Sequence, residues 1–161
     1  SSKNFSIFEE ASKSRYTPHV IEPSIGVDRL LLVTLLDAYT EEKVEGKDET
    51  RTVLKLSPKI SPIKIAILPL SKDQKLSELS KKIQKDLLSK GNLGKIEYDE
   101  TQSIGRRYRR QDEIGTPLCI TIDFDSLEDN SVTVRNRDSM LQERISIESL
   151  HSYLLKNINN Y

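Results

Sequence analysis

The second half of the sequence alternates short β-branched runs with stretches of helical spacing, and this order constrains the fold more than any other feature. Residues 63–68 form a compact apolar run. The stretch after it has apolar residues three or four positions apart until Gly91 can end a helix: Leu76, Leu79, Ile83 and Leu87. Further strands are predicted over 96–98, 118–124, 131–135 and 141–147, and further helices over 103–114 and 148–158. Such alternation predicts an α/β fold with a mixed, about five-stranded sheet and three helices on its faces.

The first 60 residues follow a different pattern. Residues 4–9 and 15–22 are strand-like runs joined by a polar segment, which predicts an antiparallel hairpin. Pro23 ends the second strand, and Ser24 can cap a helix that runs to about Tyr39. That helix is apolar around nearly its whole circumference, so it must be buried on several sides. We infer that its partner surface is missing from this chain or comes from a second subunit.

A charged segment and two prolines separate the two halves. Residues 40–50 are almost wholly charged or polar, which predicts a solvated loop, and alternation resumes over 51–56. Pro58 and Pro62 bracket a short connector. We therefore predict one domain fragment over residues 1–57 and a second domain over 62–161.

Composition excludes several classes of function. Lys+Arg and Asp+Glu both number 25, so any contact with nucleic acid must come from local clustering of charge. The single cysteine, Cys119, lies in an apolar run and reads as a buried thiol. His19 and His151 lack the spacing of metal ligands, so no metal site is expected. A tightly bound cofactor is not expected either. The longest apolar stretch is about a third of what spans a bilayer, and no leader is visible, so no membrane contact and a cytoplasmic location are expected.

The junction between the second predicted strand and the apolar helix brings an acid and a base close together. Glu22 ends the strand, and Arg29 lies in the first turn of the helix. A cation there opposes the helix macrodipole unless an anionic ligand receives it, and Gly26 lets a ligand approach the backbone. Spacing alone equally favours Glu22 and Arg29 pairing with each other or with solvent.

The predicted helix over 103–114 carries four arginines within five positions: Arg106, Arg107, Arg109 and Arg110. On a helical wheel they lie opposite the face that contains Ile104 and Tyr108, so they are expected to face outward. They could form a solvated face paired with Asp112 and Glu113. They could also form a surface for RNA phosphates and unstacked bases, which the clustered charge favours.

Two further groups of side chains have competing interpretations. Tyr98 and Tyr108 could stack on RNA bases, but core packing is the favoured role for Tyr108. The acids of the C-terminal region fit no cation-loop pattern, and turn chemistry explains them at least as well: Asp123, Asp125, Asp129 and Asp138.

The first junction resembles a known catalytic motif. Val20-Ile21-Glu22-Pro23-Ser24 followed by Gly26-Val27-Asp28-Arg29 resembles motif 3 of class II aminoacyl-tRNA synthetases, in the form found in homodimeric glycyl-tRNA synthetases. The resemblance implies that Arg29 binds the ATP phosphates, with Glu22 and Gly26 at the ATP site. It also implies that Glu22, with Ser24 beside it, holds the ammonium of glycine. Arg29 would then stabilise charge and not transfer a proton.

Three later motifs resemble the anticodon-binding domain of the same synthetases: residues 103–117, 121–125 and 132–140. The resemblance runs almost without interruption from about residue 16. It departs from the family pattern at Asn136, where aspartate is more usual, and in the short 125–131 turn. It implies tRNA contacts for the four arginines of the predicted helix and for Arg135 and Arg137.

The implied parent enzyme joins glycine to tRNA(Gly) with ATP and Mg²⁺, and dimerises through its catalytic domain. The other class II motifs are absent here, so these 161 residues alone are expected to be inactive. The main alternative is a non-catalytic synthetase-like nucleic-acid-binding module or polymerase accessory subunit, against which Glu22, Gly26 and Arg29 argue. A small nucleotide-binding α/β domain is a weaker alternative, because no Gly-rich phosphate loop follows a strand.

Overall fold

The computed structural model describes residues 5–44, 46 and 49–159. The chain divides into two compact units, residues 1–31 and 32–161, which are described separately. The predicted division into 1–57 and 62–161 stays a prediction. Among the described residues, no helix has the length and apolarity needed to cross a bilayer.

The first unit contains the predicted hairpin in a shorter form. Strands β1 (Ile7–Glu9) and β2 (Ser14–Tyr16) pair antiparallel, with Ile7 opposite Tyr16. Residues 17–26 have no regular secondary structure. Helix α1 (Val27–Ala38) starts after Gly26, whose carbonyl accepts a 3.0 Å bond from the Leu30 amide. Ser24 therefore does not cap this helix, because the first helical residue, Val27, lies three residues beyond it.

Helix α1 leaves its apolar side chains uncovered by the described residues. Leu30 and Leu36 are 54% and 67% exposed, and only Ala38 is buried. The apolar side chains of this helix are therefore exposed among the described residues. The inference that a partner surface covers them stays a prediction.

The second unit begins with a hairpin that the sequence did not predict. Strands β3 (Tyr39–Lys43) and β4 (Thr50–Leu54) pair antiparallel, with Glu42 opposite Arg51. The predicted loop over 40–50 is therefore wrong for residues 40–43 and for Thr50, while residues 45, 47 and 48 lie outside the described residues. The charged segment forms a strand because Glu42 has a cationic partner on the facing strand.

The mixed sheet of the second unit has the predicted number of strands. Its order is β6-β5-β7-β8-β9, in which β6, β5 and β7 run parallel and β8 and β9 add antiparallel. The elements after the hairpin are β5 (Ile65–Pro69), α2 (Gln74–Lys90), β6 (Ile96–Tyr98), α3 (Ile104–Ile114), β7 (Leu118–Ile122), α4 (Ser126–Asp129), β8 (Ser131–Asn136), β9 (Gln142–Ser146) and α5 (Ile147–Asn159). Gly91 ends α2 as predicted, with φ at 69°.

The two faces of the sheet carry different helices. Ile65 and Ile67 of β5 point into the main core, which α2 and α5 cover. The alternate residues Ala66 and Leu68 form a smaller core with Cys119, against which α3 packs. Helix α3 therefore lies on the opposite face from α2 and α5.

The turn after β7 contains a short helix, α4, that the sequence did not predict. Asp123 Oδ1 accepts bonds from both the amide and the hydroxyl of Ser126, at 2.9 and 2.8 Å. Asp129 likewise accepts the Ser131 amide at 2.8 Å. Turn chemistry therefore accounts for both acids.

Candidate nucleic-acid interface

The motif 3 residues lie in the first unit, where the chain passes into α1. Glu22, Ser24 and Gly26 are exposed in the segment without regular structure, and Arg29 is exposed in the first helical turn. The Arg29 side chain folds back over Gly26, where an added Cβ would lie 3.9 Å from Arg29 Cδ. No ion pair joins Glu22 to Arg29 within the described residues. Both charges are therefore open to solvent, and their ligand roles stay a prediction.

Arg107 is buried, so the prediction that all four arginines of α3 face outward is wrong for this residue. It is 2% exposed. Its guanidinium donates to the carbonyls of Glu100 (3.1 Å), Thr101 (3.1 Å) and Gln102 (2.7 Å), and to that of Pro69 at the end of β5. Arg107 therefore joins the loop before α3 to the end of a central strand, and it is not free to contact RNA.

Arg110 supports the same loop from its other side. Its Nη2 bonds Asp99 and the Thr101 carbonyl, and its Nη1 donates to Gln102 Oε1 at 3.0 Å. Burial by itself raises the pKa of Asp99, but bonds from Thr101 and Arg110 outweigh it and hold that pKa below its ordinary value. Two of the four arginines thus fix the loop over 99–102.

Arg106 and Arg109 line an open cleft beside α3. The cleft has a volume of about 550 Å³, and its walls include Ser103, Gly105, Tyr108, Met140 and Gln142. Arg106 is exposed, and no bond to another described residue is recorded for its side chain. Arg109 is partly exposed and lies 3.4 Å from Glu49. Arg106 is therefore available to an anionic ligand, and Arg109 can bind one in place of Glu49, whose side chain is itself exposed.

Arg135 and Arg137, which the resemblance placed among the tRNA contacts, are 5% and 2% exposed. Arg135 donates to both carboxylate oxygens of Asp112, at 2.8 and 3.0 Å, and stacks 4.8 Å from the Tyr108 ring. Arg137 donates to the Gly115 carbonyl at 2.8 Å and to Asp138. Neither residue is therefore free to contact RNA, because both guanidinium groups are buried and bonded inside the protein.

Burial and the contact with Asp112 shift the pKa of Arg135 in opposite directions. Burial by itself lowers the pKa of the guanidinium, but the bonds and charge of Asp112 outweigh it and raise the pKa. Arg135 is therefore a permanent cation, and its side chain contributes to one wall of the cleft.

Tyr108 packs against the core, as the sequence favoured. Its ring lies against the small cluster that contains Ala66, Leu68 and Cys119, and its hydroxyl bonds Thr121 Oγ1. Burial raises the pKa of the Tyr108 phenol. The ring therefore forms the floor of the cleft and is not free to stack.

The sequence did not reveal Phe124 as a surface residue. It was predicted to end the buried strand over 118–124, but β7 ends at Ile122 and Phe124 is 53% exposed. A second cleft of about 270 Å³ nearby shares Tyr108 and Gln142 with the first and includes Asp123. The Asp-Ser sequence that forms α4 was the available signal that the strand ends early.

The stretch of sequence that forms this sheet and α3 matches a known protein family. The sequence profile of the anticodon-binding domain family matches residues 64–157, which is more than half of the chain. The chain belongs to this family. The matched residues contain the whole five-stranded sheet, all of α2 to α4, and α5 except for its last two residues.

Curated relatives of this anticodon-binding domain protein match nearly all of its length. The glycine–tRNA ligase of Thermobifida fusca is 51% identical over 98% of the chain, and that of Clostridium beijerinckii is 56% identical over 96%. The glycine–tRNA ligase of Staphylococcus aureus is 54% identical over 96%. These alignments cover 34%, 32% and 32% of the relatives, so the chain spans about a third of their length.

The described residues of the anticodon-binding domain supply neither an accessible thiol nor a cluster of metal ligands. Cys119 is fully buried, and that burial raises its pKa to about 12, which makes it a poor nucleophile. The described residues contain no group of three or more His, Cys, Asp or Glu that could hold a metal ion. The exposed cations at the cleft can bind phosphate, and the exposed Phe124 ring can stack on an unpaired base.

Proposed function

We propose that this chain is the part of a glycine–tRNA ligase that binds the anticodon arm of tRNA(Gly) and supplies the motif 3 residues of the ATP site. The observation that carries the proposal is the identity of about half, over almost the entire chain, to relatives named glycine–tRNA ligase. That identity covers both the motif 3 junction and the anticodon-binding domain. Under this proposal, residues 1–57 belong to the catalytic domain and 62–161 to the anticodon-binding domain.

The RNA surface proposed for the second unit is the cleft beside α3. Arg106 and Arg109 would contact phosphates, because both are accessible and Arg106 has no recorded partner within the described part of the chain. The neutral net charge of the chain makes such local cations necessary. Arg107 and Arg110 would act indirectly, since their bonds shape the loop that leads into α3.

The motif 3 residues would act on the small substrates. Arg29 would place its charge on the ATP phosphates, where a cation near the start of a helix gains an anionic partner. Glu22 would hold the ammonium of glycine, with Ser24 beside it. Mg²⁺ would arrive with the nucleotide, and we assign no ligand to it in this chain. A cytoplasmic homodimer formed through the catalytic domain belongs to the same proposal.

Binding of RNA hairpins tests the anticodon assignment. We expect the protein to bind the anticodon stem-loop of tRNA(Gly) about tenfold or more tightly than the same hairpin with its three anticodon bases replaced, because single-stranded bases carry sequence specificity. Fluorescence anisotropy of labelled hairpins measures both affinities at one salt concentration. Equal affinity for the two hairpins would refute recognition of the anticodon, and no binding to either would refute the RNA surface.

A further inference from the structure

The β3–β4 hairpin packs closely against the C-terminal end of α3, although it lies outside the residues 64–157 that the family profile matches. Gly115, which ends α3 with φ at 82°, marks the contact. A Cβ added there would lie 2.9 Å from the Leu54 carbonyl oxygen of β4 and 3.0 Å from Leu56 Cδ1. The hairpin backbone therefore fits against α3 without room for a side chain at the contact.

Arg51 of β4 is the polar centre of this contact. The residue is 1% exposed. Its Nη1 donates to Asp112 Oδ2 of α3 at 3.1 Å and to the Arg137 carbonyl at 2.9 Å. Its Nε and Nη2 donate to Glu42 of β3 at 3.0 and 2.6 Å. One guanidinium thus joins both strands of the hairpin to α3 and to the end of β8.

Asp112 depends on Arg51 for its charge balance. Asp112 is 0% exposed and is shared between Arg51 and Arg135. Its neighbour one turn earlier is Arg109, whose Nη1 lies 4.0 Å away. Loss of Arg51 would leave a carboxylate buried with fewer donors, and the surrounding side chains would have to move to supply them.

The same contact fixes a second wall of the RNA cleft. Asn136 ends β8, Arg51 bonds the next carbonyl, and the turn that follows carries Met140 into the cleft that Arg106 and Arg109 line. Arg51 therefore holds both walls of the cleft, and its guanidinium is too buried to reach the RNA itself.

We propose that Arg51 is a positioning residue for tRNA binding: through Asp112 and the Arg137 carbonyl it holds α3 and the β8–β9 turn so that Arg106 and Arg109 face one cleft. The proposal rests on the proposed function, since it concerns how the same cleft is shaped. Under this proposal, the β3–β4 hairpin stabilises the RNA-binding cleft although it does not contact RNA through Arg51.

The test compares two reactions of the full-length protein that carries this sequence. We expect Arg51→Met to raise the KM for tRNA(Gly) about tenfold, in the range found for residues that act through neighbours. Glycine-dependent pyrophosphate exchange, which uses no tRNA, should keep its rate. Hydrogen exchange should become faster in peptides of α3. The salt dependence of tRNA binding should keep its slope, because Arg51 neutralises no phosphate.

Two further variants keep the test decisive. Glu42→Gln weakens the anchor of the Arg51 guanidinium at a partly exposed site, and we expect an increase in the KM for tRNA of about threefold. Lys55→Met is the matched control, since it removes another cation that pairs with Glu42 and leaves α3 untouched. If Arg51→Met does not fold, Glu42→Gln decides the question alone.

Several results would overturn the proposal. An unchanged KM for tRNA in folded Arg51→Met would do so, and so would an equal loss of charging and pyrophosphate exchange, which indicates a general folding role. A reduced salt slope would show that Arg51 contacts RNA directly. If the unmodified protein does not charge tRNA(Gly), the proposed function fails, and hydrogen exchange in α3 still decides whether Arg51 positions the helix.

Discussion

Arg107 shows how a buried cation in this chain is satisfied without a carboxylate. Four of its bonds go to backbone carbonyls, at the end of β5 and in the loop over 100–102. A guanidinium has five N–H donors in a fixed fork, which suits carbonyls that converge from several directions. Lysine at this position would supply fewer donors in a different geometry, so the residue type is set by the loop and not by a ligand.

Residue-level kinetics test the motif 3 assignment. In the full-length protein that carries this sequence, the proposed function predicts that Arg29→Ala lowers kcat/KM for ATP about 10²- to 10³-fold, because it removes a cation from developing charge. Glu22→Gln should lower kcat/KM for glycine about 10- to 100-fold, the usual effect of losing a bond to a charged group. Pyrophosphate exchange at varied ATP and glycine measures both.

Arg15→Ala is the matched control for those variants. Arg15 is an exposed arginine of the same unit, on β2, and its recorded bond is a 3.4 Å contact with Ser6. It should leave both constants unchanged. Glu22→Gln with an unaltered response to glycine would contradict the assignment of that carboxylate to the ammonium.

At the level of elements, α3 is fixed at its C-terminal end by close packing on β4. Gly115→Ala should lower the free energy of unfolding by about 1–3 kcal/mol, because a non-glycine residue at this positive φ is strained and its Cβ meets the Leu54 carbonyl. Gly105→Ala in the first turn of the same helix is the matched variant. It meets nothing within 4 Å, so it should raise stability by about 0.5 kcal/mol.

Urea unfolding at constant pH measures both glycine variants. A Gly115→Ala protein as stable as the original would contradict the close contact between α3 and the hairpin. A Gly105→Ala protein that is destabilised would show that the start of α3 is more crowded than the structure indicates.

The order of strands and helices after residue 62 could be predicted from the sequence because each element has a periodicity of its own. Sequence periodicity gave wrong predictions where contacts with residues outside the element determine its structure. Residues 40–43 look like a loop until Arg51 faces Glu42 across the hairpin. The helical wheel of α3 put Arg107 outside, but it does not show that the loop over 99–102 folds back over that side of the helix. Phe124 was predicted in a buried strand because the apolar run continues to it. The strand ends earlier, at Ile122, where Asp123 accepts a bond from the Ser126 amide and starts a turn.

The candidate site residues also divide into those that the sequence could predict and those whose role depends on distant partners. Arg106 and Arg109 could be predicted from clustered charge, since their exposure needs only the helix. The internal roles of Arg135 and Arg137 depend on Asp112 and on the Gly115 carbonyl, which are distant in sequence. The bonds from Arg51 to Asp112 and to the Arg137 carbonyl carried no local signal, because these partners lie 61 and 86 residues away.

On the scale of the whole molecule, α1 and the five-stranded sheet differ in how well their apolar side chains are covered. Those of α1 are largely exposed, whereas the sheet of the second unit, which the family model matches, is covered by helices. The chain spans about a third of the length of the relatives that it matches, and most apolar side chains of α1 are exposed among the described residues. The second unit has its own core between the sheet and its helices. We propose that RNA binds in the cleft on the α3 side of this sheet.

Salt dependence of tRNA(Gly) binding tests that claim most directly. Replacing Arg106 and Arg109 together with Ala should reduce the slope of log K against log salt by about 1 to 2, since each phosphate contact contributes about 0.7 to 0.9. Lys82→Ala with Lys85→Ala on α2 is the matched control, because these exposed cations lie on a helix that covers the opposite face. We expect a lower slope for the arginine pair and an unchanged slope for the lysine pair. An unchanged slope for the arginine pair, or a loss confined to the lysine pair, would contradict it.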